Sequence, residues 1–418
     1  MSVNHHLLAK ATTDSVLAHF KSGVWKCCID VGTDFYRVGC DSTFPSPDAA
    51  FYDDAKKLMV TFEFKPPTET KRGILTGLGQ SIAYLNSSNL SYLIVPKTLE
   101  DFPIGTYMTN LYQNQIEENL PVGLILYENN NPAIVSLVHN VNALKITKEF
   151  KPVANGRFWA KHLDMPIPLF HLILHCYYLK KIGQISGDAF AHCWNNYIVT
   201  ANVLKTLTPA PIQDINGDLI KTLSGRKNIV FFEKKIGTIR KLSGPSKASA
   251  IKRLQKDADI NFIGDNSYNS IKKNFVTFLK HIGVVDSMGN LTDNGFKLYH
   301  LGLVNGPKSK IFYDYFIQKI LITGHHLDLI FDFDNLCNQY RGKFDTFQIR
   351  DILLNDYETK GMIKRNPNRK SKNGSKVEFL KYEFILWNSL GLTVKTSGKP
   401  QISFNWKKIT EVCSMPDL

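Results

Sequence analysis

The sequence predicts an α/β unit built on a small mixed sheet, followed by a mainly helical region, and three observations carry that reading. Between Val24 and Tyr127 short β-branched or aromatic runs, bounded by Gly, Pro, Asp and Asn, alternate with helical stretches. Beyond about Val141 apolar residues recur at helical spacing instead. The chain has 418 residues, and single cores stop growing at roughly 250–300 residues, so two or three domains are expected.

The expected strands are Trp25–Cys28, Tyr36–Gly39, Ala50–Asp53, Leu58–Phe64, Tyr92–Val95 and Gly123–Leu126, with helices over Gly73–Asn86 and Thr109–Glu118. Leu169–Ile182 opens the helical half. Two later segments share a layout. Asn269–Gly302 reads as a helix (Ile271–Ile282), Val284-Val285, a turn at Met288-Gly289-Asn290 and a second helix opening at Thr292-Asp293. Phe344–Trp387 reads as a helix (Thr346–Lys360), Met362-Ile363, a basic polar run and a strand over Val377–Tyr382. A helix followed by a hairpin is the outline of a winged-helix-like module. The expected division is therefore 1–141, 142–260 and 261–418.

Composition narrows the function classes. At 43% hydrophobic and 21% charged residues the chain has the makeup of a globular protein, not of a disordered or fibrous one. The longest apolar candidate, Ile167–Leu179, contains two His and a Pro and is too short for a membrane span. Met1–His6 lacks the basic-then-apolar layout of a secretory signal, so an intracellular, cytoplasmic location is expected. The seven cysteines (27, 28, 40, 176, 193, 337 and 413) are scattered without a Cys-x-x-Cys and read as reduced thiols. His171 and His175 have zinc-ligand spacing, but no Glu follows the first, and they read as core histidines. No phosphate-loop motif occurs.

The net charge is +14, and a balance this basic favours polyanionic partners, nucleic acid first. From Lys221 to Lys256 eleven basic residues face one acid, Glu233. Arg226, Lys227, Lys234, Lys235, Arg240, Lys241, Lys252 and Arg253 from this run are expected to contact phosphate. A second cluster in an Asn/Pro/Gly/Ser-rich stretch supplies Lys364, Arg365, Arg369, Lys370 and Lys372. Lys71, Arg72, Lys272 and Lys273 complete the candidate DNA-contacting set.

The segment from Ser46 to Pro66 carries the chemistry. Asp53–Lys57 is a polar turn between two apolar runs, which predicts a hairpin. An antiparallel hairpin brings Asp48, at the start of its first strand, to Glu63, at the end of its second. Side chains alternate faces along a strand, so Glu63 and Lys65 share one face and Phe64 points to the other. Two hard carboxylate ligands suit Mg²⁺, which takes one or two protein carboxylates plus substrate phosphate. Asp53 or Asp54 is the alternative first ligand if the hairpin is shorter. Gly73, Gly77 and Gly79 near the start of the following helix imply a close approach there, by a nucleic-acid backbone or by the sheet.

Pro47-Asp48, fourteen residues and then Glu63-Phe64-Lys65 resembles the defining pattern of the PD-(D/E)XK nuclease superfamily, which includes many restriction endonucleases. Gln80 and Tyr84 are similar to the Gln-x-x-x-Tyr element of its RecB-like members, and i,i+4 spacing puts both on one helical face. The resemblance covers about 13–141. It implies a nuclease core with a small mixed sheet flanked by helices. Asp48, Glu63 and the Phe64 carbonyl would bind Mg²⁺, Lys65 would place the attacking water, and Gln80 and Tyr84 would support the site. The implied activity is Mg²⁺-dependent endonucleolytic cleavage of double-stranded DNA, as in a type II restriction endonuclease, by a homodimer where both strands are cut. A transposition or repair endonuclease needing partner proteins, or a catalytically silent DNA-binding regulator, are the alternatives.

Overall fold

A computed structural model describes residues 3–26, 35–39, 45–117, 119–141, 146, 148–150, 157–162, 165–259, 269–286, 288–364, 379–394 and 401–416. The chain runs α1 (Val3–Lys21), β1 (Phe35–Val38), β2 (Ala49–Asp53), β3 (Leu58–Phe64), α2 (Lys71–Ala83), β4 (Leu90–Pro96), α3 (Ile104–Asn114), β5 (Val122–Glu128) and β6 (Asn131–His139). Helices follow: α4 (Ile167–Lys181), α5 (Ala189–Cys193), α6 (Ala201–Thr206), α7 (Glu233–Arg240), α8 (Gly244–Ala258), α9 (Asn269–His281) and α10 (Asp293–Asn305). The remainder is α11 (Lys310–Leu321), α12 (His326–Gln339), α13 (Thr346–Lys360), α14 (Lys381–Ser389), β7 (Thr393–Val394), β8 (Ser403–Phe404) and α15 (Trp406–Cys413).

Two compact units result. One comprises residues 1–160, 318–380 and 393–418, and the other 161–317 and 381–392. The expected segment 1–141 lies wholly in the first unit, while 261–418 contributes to both. The fold is mixed α/β, as expected. No described helix is long and apolar enough to cross a membrane.

The first unit is organised by a six-stranded sheet in the order β1-β2-β3-β4-β5-β6. β1–β2, β2–β3 and β5–β6 pair antiparallel, while β3–β4 and β4–β5 are parallel. Parallel neighbours need a crossover, and α2 and α3 supply the two. One sheet face packs Leu93, Val95 and Leu124 against Ile74 of α2 and Ile104, Met108 and Tyr112 of α3. On the other face Phe20 of α1 meets the rings of Phe35, Phe62 and Tyr92. Apolar burial on both faces explains why the central strands β3 and β4 are buried throughout.

Several sequence expectations need correction. A 19-residue helix, α1, precedes the sheet, where no element was expected. Trp25 lies not in a strand but in the turn after α1, its ring 4.6 Å from that of His19; Cys27 and Cys28 lie outside the described residues. The third helix starts at Ile104 rather than Thr109 and ends at Asn114; Glu118 is outside the described residues. β6 was not expected, because an edge strand exposed to solvent along much of its length carries little apolar alternation. Lys381 and Tyr382 open α14 instead of closing a strand; Val377, Arg365, Arg369, Lys370 and Lys372 lie outside the described residues. A short antiparallel pair does occur later, between β7 and β8.

The expected turn after α9 is present as a bridge between Val285 and Leu291, and Thr292 caps α10 by accepting the Gly295 N–H. α13 opens with a capping box from Asp345 and Gln348. His171 and His175 are packing residues. His171 is buried 3.0 Å from the Tyr299 carbonyl, and His175 lies 3.0 Å from the Tyr299 hydroxyl.

Candidate active site

The β2–β3 hairpin and the C-terminal end of α2 build the site. Ala49 pairs with Phe62 in the hairpin register, which sets Asp48 beside the end of β3. The Asp48 amide donates to the Phe62 carbonyl at 3.0 Å, and its Oδ2 accepts the Phe64 amide at 2.8 Å. Glu63 lies opposite Leu93 of β4, on the face covered by α2. Lys65 continues that strand direction and donates from Nζ to Glu63 Oε1 at 2.9 Å and to Gln80 Oε1 at 2.8 Å. The Tyr84 hydroxyl donates to Glu63 Oε2 and lies 3.0 Å from the Ser46 carbonyl. Asp48, Glu63, Lys65, Gln80 and Tyr84 therefore meet at the C-terminal end of β3, an interior strand of the sheet.

Asp53 and Asp54 lie at the other end of the hairpin. Asp53 pairs across the turn with Leu58 and accepts the Lys56 amide at 2.9 Å, and Asp54 forms an ion pair with Lys364. The glycines of α2 separate in role. A Cβ on Gly77 would sit 2.5 Å from Lys65 Cε and 3.0 Å from Leu93 Cδ1, so the bare helix backbone there makes room for the lysine stem. A Cβ on Gly73 would strike the Glu69 side chain, whereas Gly79 faces open space.

Burial and like charge set the electrostatics. Glu63 is 4% exposed, and burial followed by the charge of Asp48 pushes its carboxyl up to about 7. Asp48 keeps part of its surface open, yet its carboxyl is surrounded by protein and is raised to about 6, chiefly by burial. Two buried carboxylates that disfavour each other's ionisation are a donor set that a divalent cation would neutralise. Each Glu63 oxygen makes one described hydrogen bond and Asp48 uses Oδ2, which leaves lone pairs on both groups. The residues present fit Mg²⁺. Among the described residues no three His, Cys, Asp or Glu side chains form a metal cage, and Mg²⁺ does not need one.

His5 belongs to the site and was missed in the sequence. Its Nε2 lies 3.3 Å from the Phe64 carbonyl and its ring 5.5 Å from the Phe64 ring. Burial lowers its pKa, and the nearby Glu63 charge opposes that shift. Its only trace in the sequence is the His5-His6 pair on a helix that was not recognised. The Phe64 carbonyl, expected as a metal ligand, is thus already near a ring nitrogen, while the Lys65 carbonyl accepts the Tyr127 hydroxyl at 2.9 Å. No protein-family profile matches the chain, and no curated protein matches it.

The candidate DNA-contacting residues fall in both units. Lys71 and Arg72 open α2, both exposed, with Lys71 Nζ 4.0 Å from the Phe102 ring centre. In the second unit Arg226 and Lys227 lie at the tip of a β-ribbon, Lys234, Lys235 and Arg240 on α7, Lys241 after it, Lys252 and Arg253 on α8, and Lys272 and Lys273 on α9. Lys235 pairs with Asp257 at 2.6 Å and Lys272 with Asp188 at 3.1 Å.

Proposed function

We propose that this protein is a metal-dependent DNA endonuclease that hydrolyses phosphodiester bonds in double-stranded DNA with Mg²⁺, in the manner of a type II restriction endonuclease. The observation that carries the reading is the meeting of Asp48, Glu63 and Lys65 at the C-terminal end of β3, with Gln80 and Tyr84 holding the lysine and the glutamate. Asp48 and Glu63 would hold the cation. When bound, the cation supplies Lewis-acid polarisation of a phosphoryl oxygen and a more acidic water.

The chain's own groups do the rest. Tyr84 fixes the Glu63 carboxylate and so the plane in which its lone pairs point. Gln80 and Glu63 hold the Lys65 ammonium in a partly buried position, where it can orient a water or neutralise charge developing on phosphate. The basic residues of the second unit supply the attraction for the polyanion.

The test is to incubate the purified protein with mixed plasmid and phage DNA and Mg²⁺, and to sequence the ends. Discrete, reproducible termini support a site-specific endonuclease. Glu63→Ala and Lys65→Ala should each abolish cutting while DNA binding in Ca²⁺ persists; unchanged cutting by both variants would refute the assignment of the site.

A further inference from the structure

The leading helices of the two winged-helix-like outlines, α9 and α13, lack a surface suited to DNA bases. On α9, Lys272 is paired with Asp188 at 3.1 Å, and among its described side chains only Lys273 is exposed. α13 carries Asp351, Asp356 and Glu358 against Arg350 and Lys360, so its charge opposes a groove walled by phosphates.

α8 differs. α7 ends at Arg240, three residues intervene, and α8 begins at Gly244, whose φ of +56° is a left-handed conformation that favours glycine. Two helices joined by a short turn are the element order of a helix-turn-helix, the motif whose second helix lies in the major groove. One α8 stripe, with Leu254 and Ala258, is buried. Ile236 and Ile239 are the buried residues of α7. The Trp194 indole donates to the Ala258 carbonyl at 2.9 Å, and Lys235 of α7 pairs with Asp257 at 2.6 Å. These contacts anchor the end of α8 and neutralise its one acid. The opposite stripe exposes Ser246, Ser249, Lys252, Arg253 and Lys256. Just before α7, the β-ribbon joins 211 to 230, 213 to 219 and 221 to 228, and exposes Arg226 and Lys227 at its tip.

We infer that α8 is the sequence-reading helix of this protein: it enters the major groove of duplex DNA, with Arg253 on base edges and Lys252 and Lys256 on the flanking phosphates. Arg253 and Ser249 supply the groups that recognise guanine and a neighbouring base, since an Arg fork matches guanine O6 and N7. The inference deepens the endonuclease reading in naming the element that selects the site, and its DNA-binding part stands apart from the cutting chemistry.

The experiment is selection from a randomised duplex library in Ca²⁺, for the wild type, Arg253→Ala, Arg253→Lys, Lys273→Ala and, as a surface control, Lys297→Ala, each checked for folding by circular dichroism. The wild type and the Lys297 variant should enrich the same sequence. Arg253→Ala should lose the guanine preference at one or more positions, bind the wild-type sequence roughly 10- to 100-fold more weakly, and bind unselected DNA within a few-fold of wild type. Arg253→Lys reports on fork geometry at constant charge and should lose the same preference. Preferences unchanged in both Arg253 variants, a change produced by Lys273→Ala instead, or no enrichment by the wild type would each overturn the inference. Enrichment by a wild type that never cuts in Mg²⁺ would uphold it and refute the endonuclease reading alone.

Discussion

Replacing Glu63 by Gln should make the metal-free protein more stable at alkaline pH while removing the proposed cleavage activity. Glu63 Oε1 accepts from Lys65 and Oε2 from Tyr84, whose hydroxyl also lies 3.0 Å from the Ser46 carbonyl. In the variant the amide oxygen keeps the Lys65 bond. The amide N–H can donate to the Tyr84 oxygen, which then donates to Ser46, so no buried polar group loses a partner. What disappears is a buried anion. A carboxyl raised from 4.5 to about 7 in the fold binds a proton in the native state that the unfolded chain releases, so ionisation weakens the fold as pH rises from 4.5 to 7. The penalty is absent below 4.5 and fully present above about 7, where it amounts to about 3 kcal/mol. Urea unfolding in EDTA should therefore show Glu63→Gln more stable than wild type by about 3 kcal/mol at pH 8.5, and by under about 1 kcal/mol at pH 5. Added Mg²⁺ should narrow the gap at pH 8.5, because a ligand of the native wild type stabilises it by mass action. Stabilities of the two proteins that run parallel from pH 5 to pH 8.5 would refute the electrostatic account of the site.

Other outcomes follow from the same geometry. Tyr84→Phe removes the donor that lowers the Glu63 pKa, so the acid limb of the rate against pH should move to higher pH, with a rate loss of about tenfold or more and unchanged DNA affinity in Ca²⁺. Gly77→Ala places a methyl group 2.5 Å from Lys65 Cε, and single-turnover cutting should fall at least about tenfold while thermal stability stays within about 1 kcal/mol of wild type. Arg37 is 2% exposed, donates to Asp328 at 2.8 Å and stacks over Phe158, so Arg37→Ala should cost about 3–5 kcal/mol in urea unfolding, by taking from the buried Asp328 carboxylate its nearest cation. Lys97→Ala breaks only the surface pair with Glu128 and should change stability by under about 1 kcal/mol.

The parts of the site legible in the sequence are those fixed by short-range geometry. A turn at Asp53–Lys57 sets the hairpin register, and the register alone brings Asp48 to the end of β3. Strand alternation puts Glu63 and Lys65 on one face, and helical spacing aligns Gln80 with Tyr84. α1 was invisible because half of its buried face is small or polar: Ala9, Thr12 and Thr13 continue the stripe of Val16, Leu17 and Phe20 and weaken its apolar periodicity. The basic run from Lys221 to Lys256 was evident as charge, but its division into a ribbon and two helices rests on isolated bridges and on the turn at Gly244.

By itself, then, the sequence determined the α/β character of the chain, its basic surface and the local cluster of two carboxylates and a lysine, since each follows from residues close along the chain. Tertiary structure alone decided that His5 stands beside Phe64, 59 residues away, and that Arg37 is neutralised by Asp328, 291 residues away. It also decided that Gly77 exists to admit Lys65. The reason is physical: a hairpin or a helix repeats at a fixed period that sequence displays, whereas the burial that raises the Glu63 pKa comes from helices and strands closing over it from distant parts of the chain.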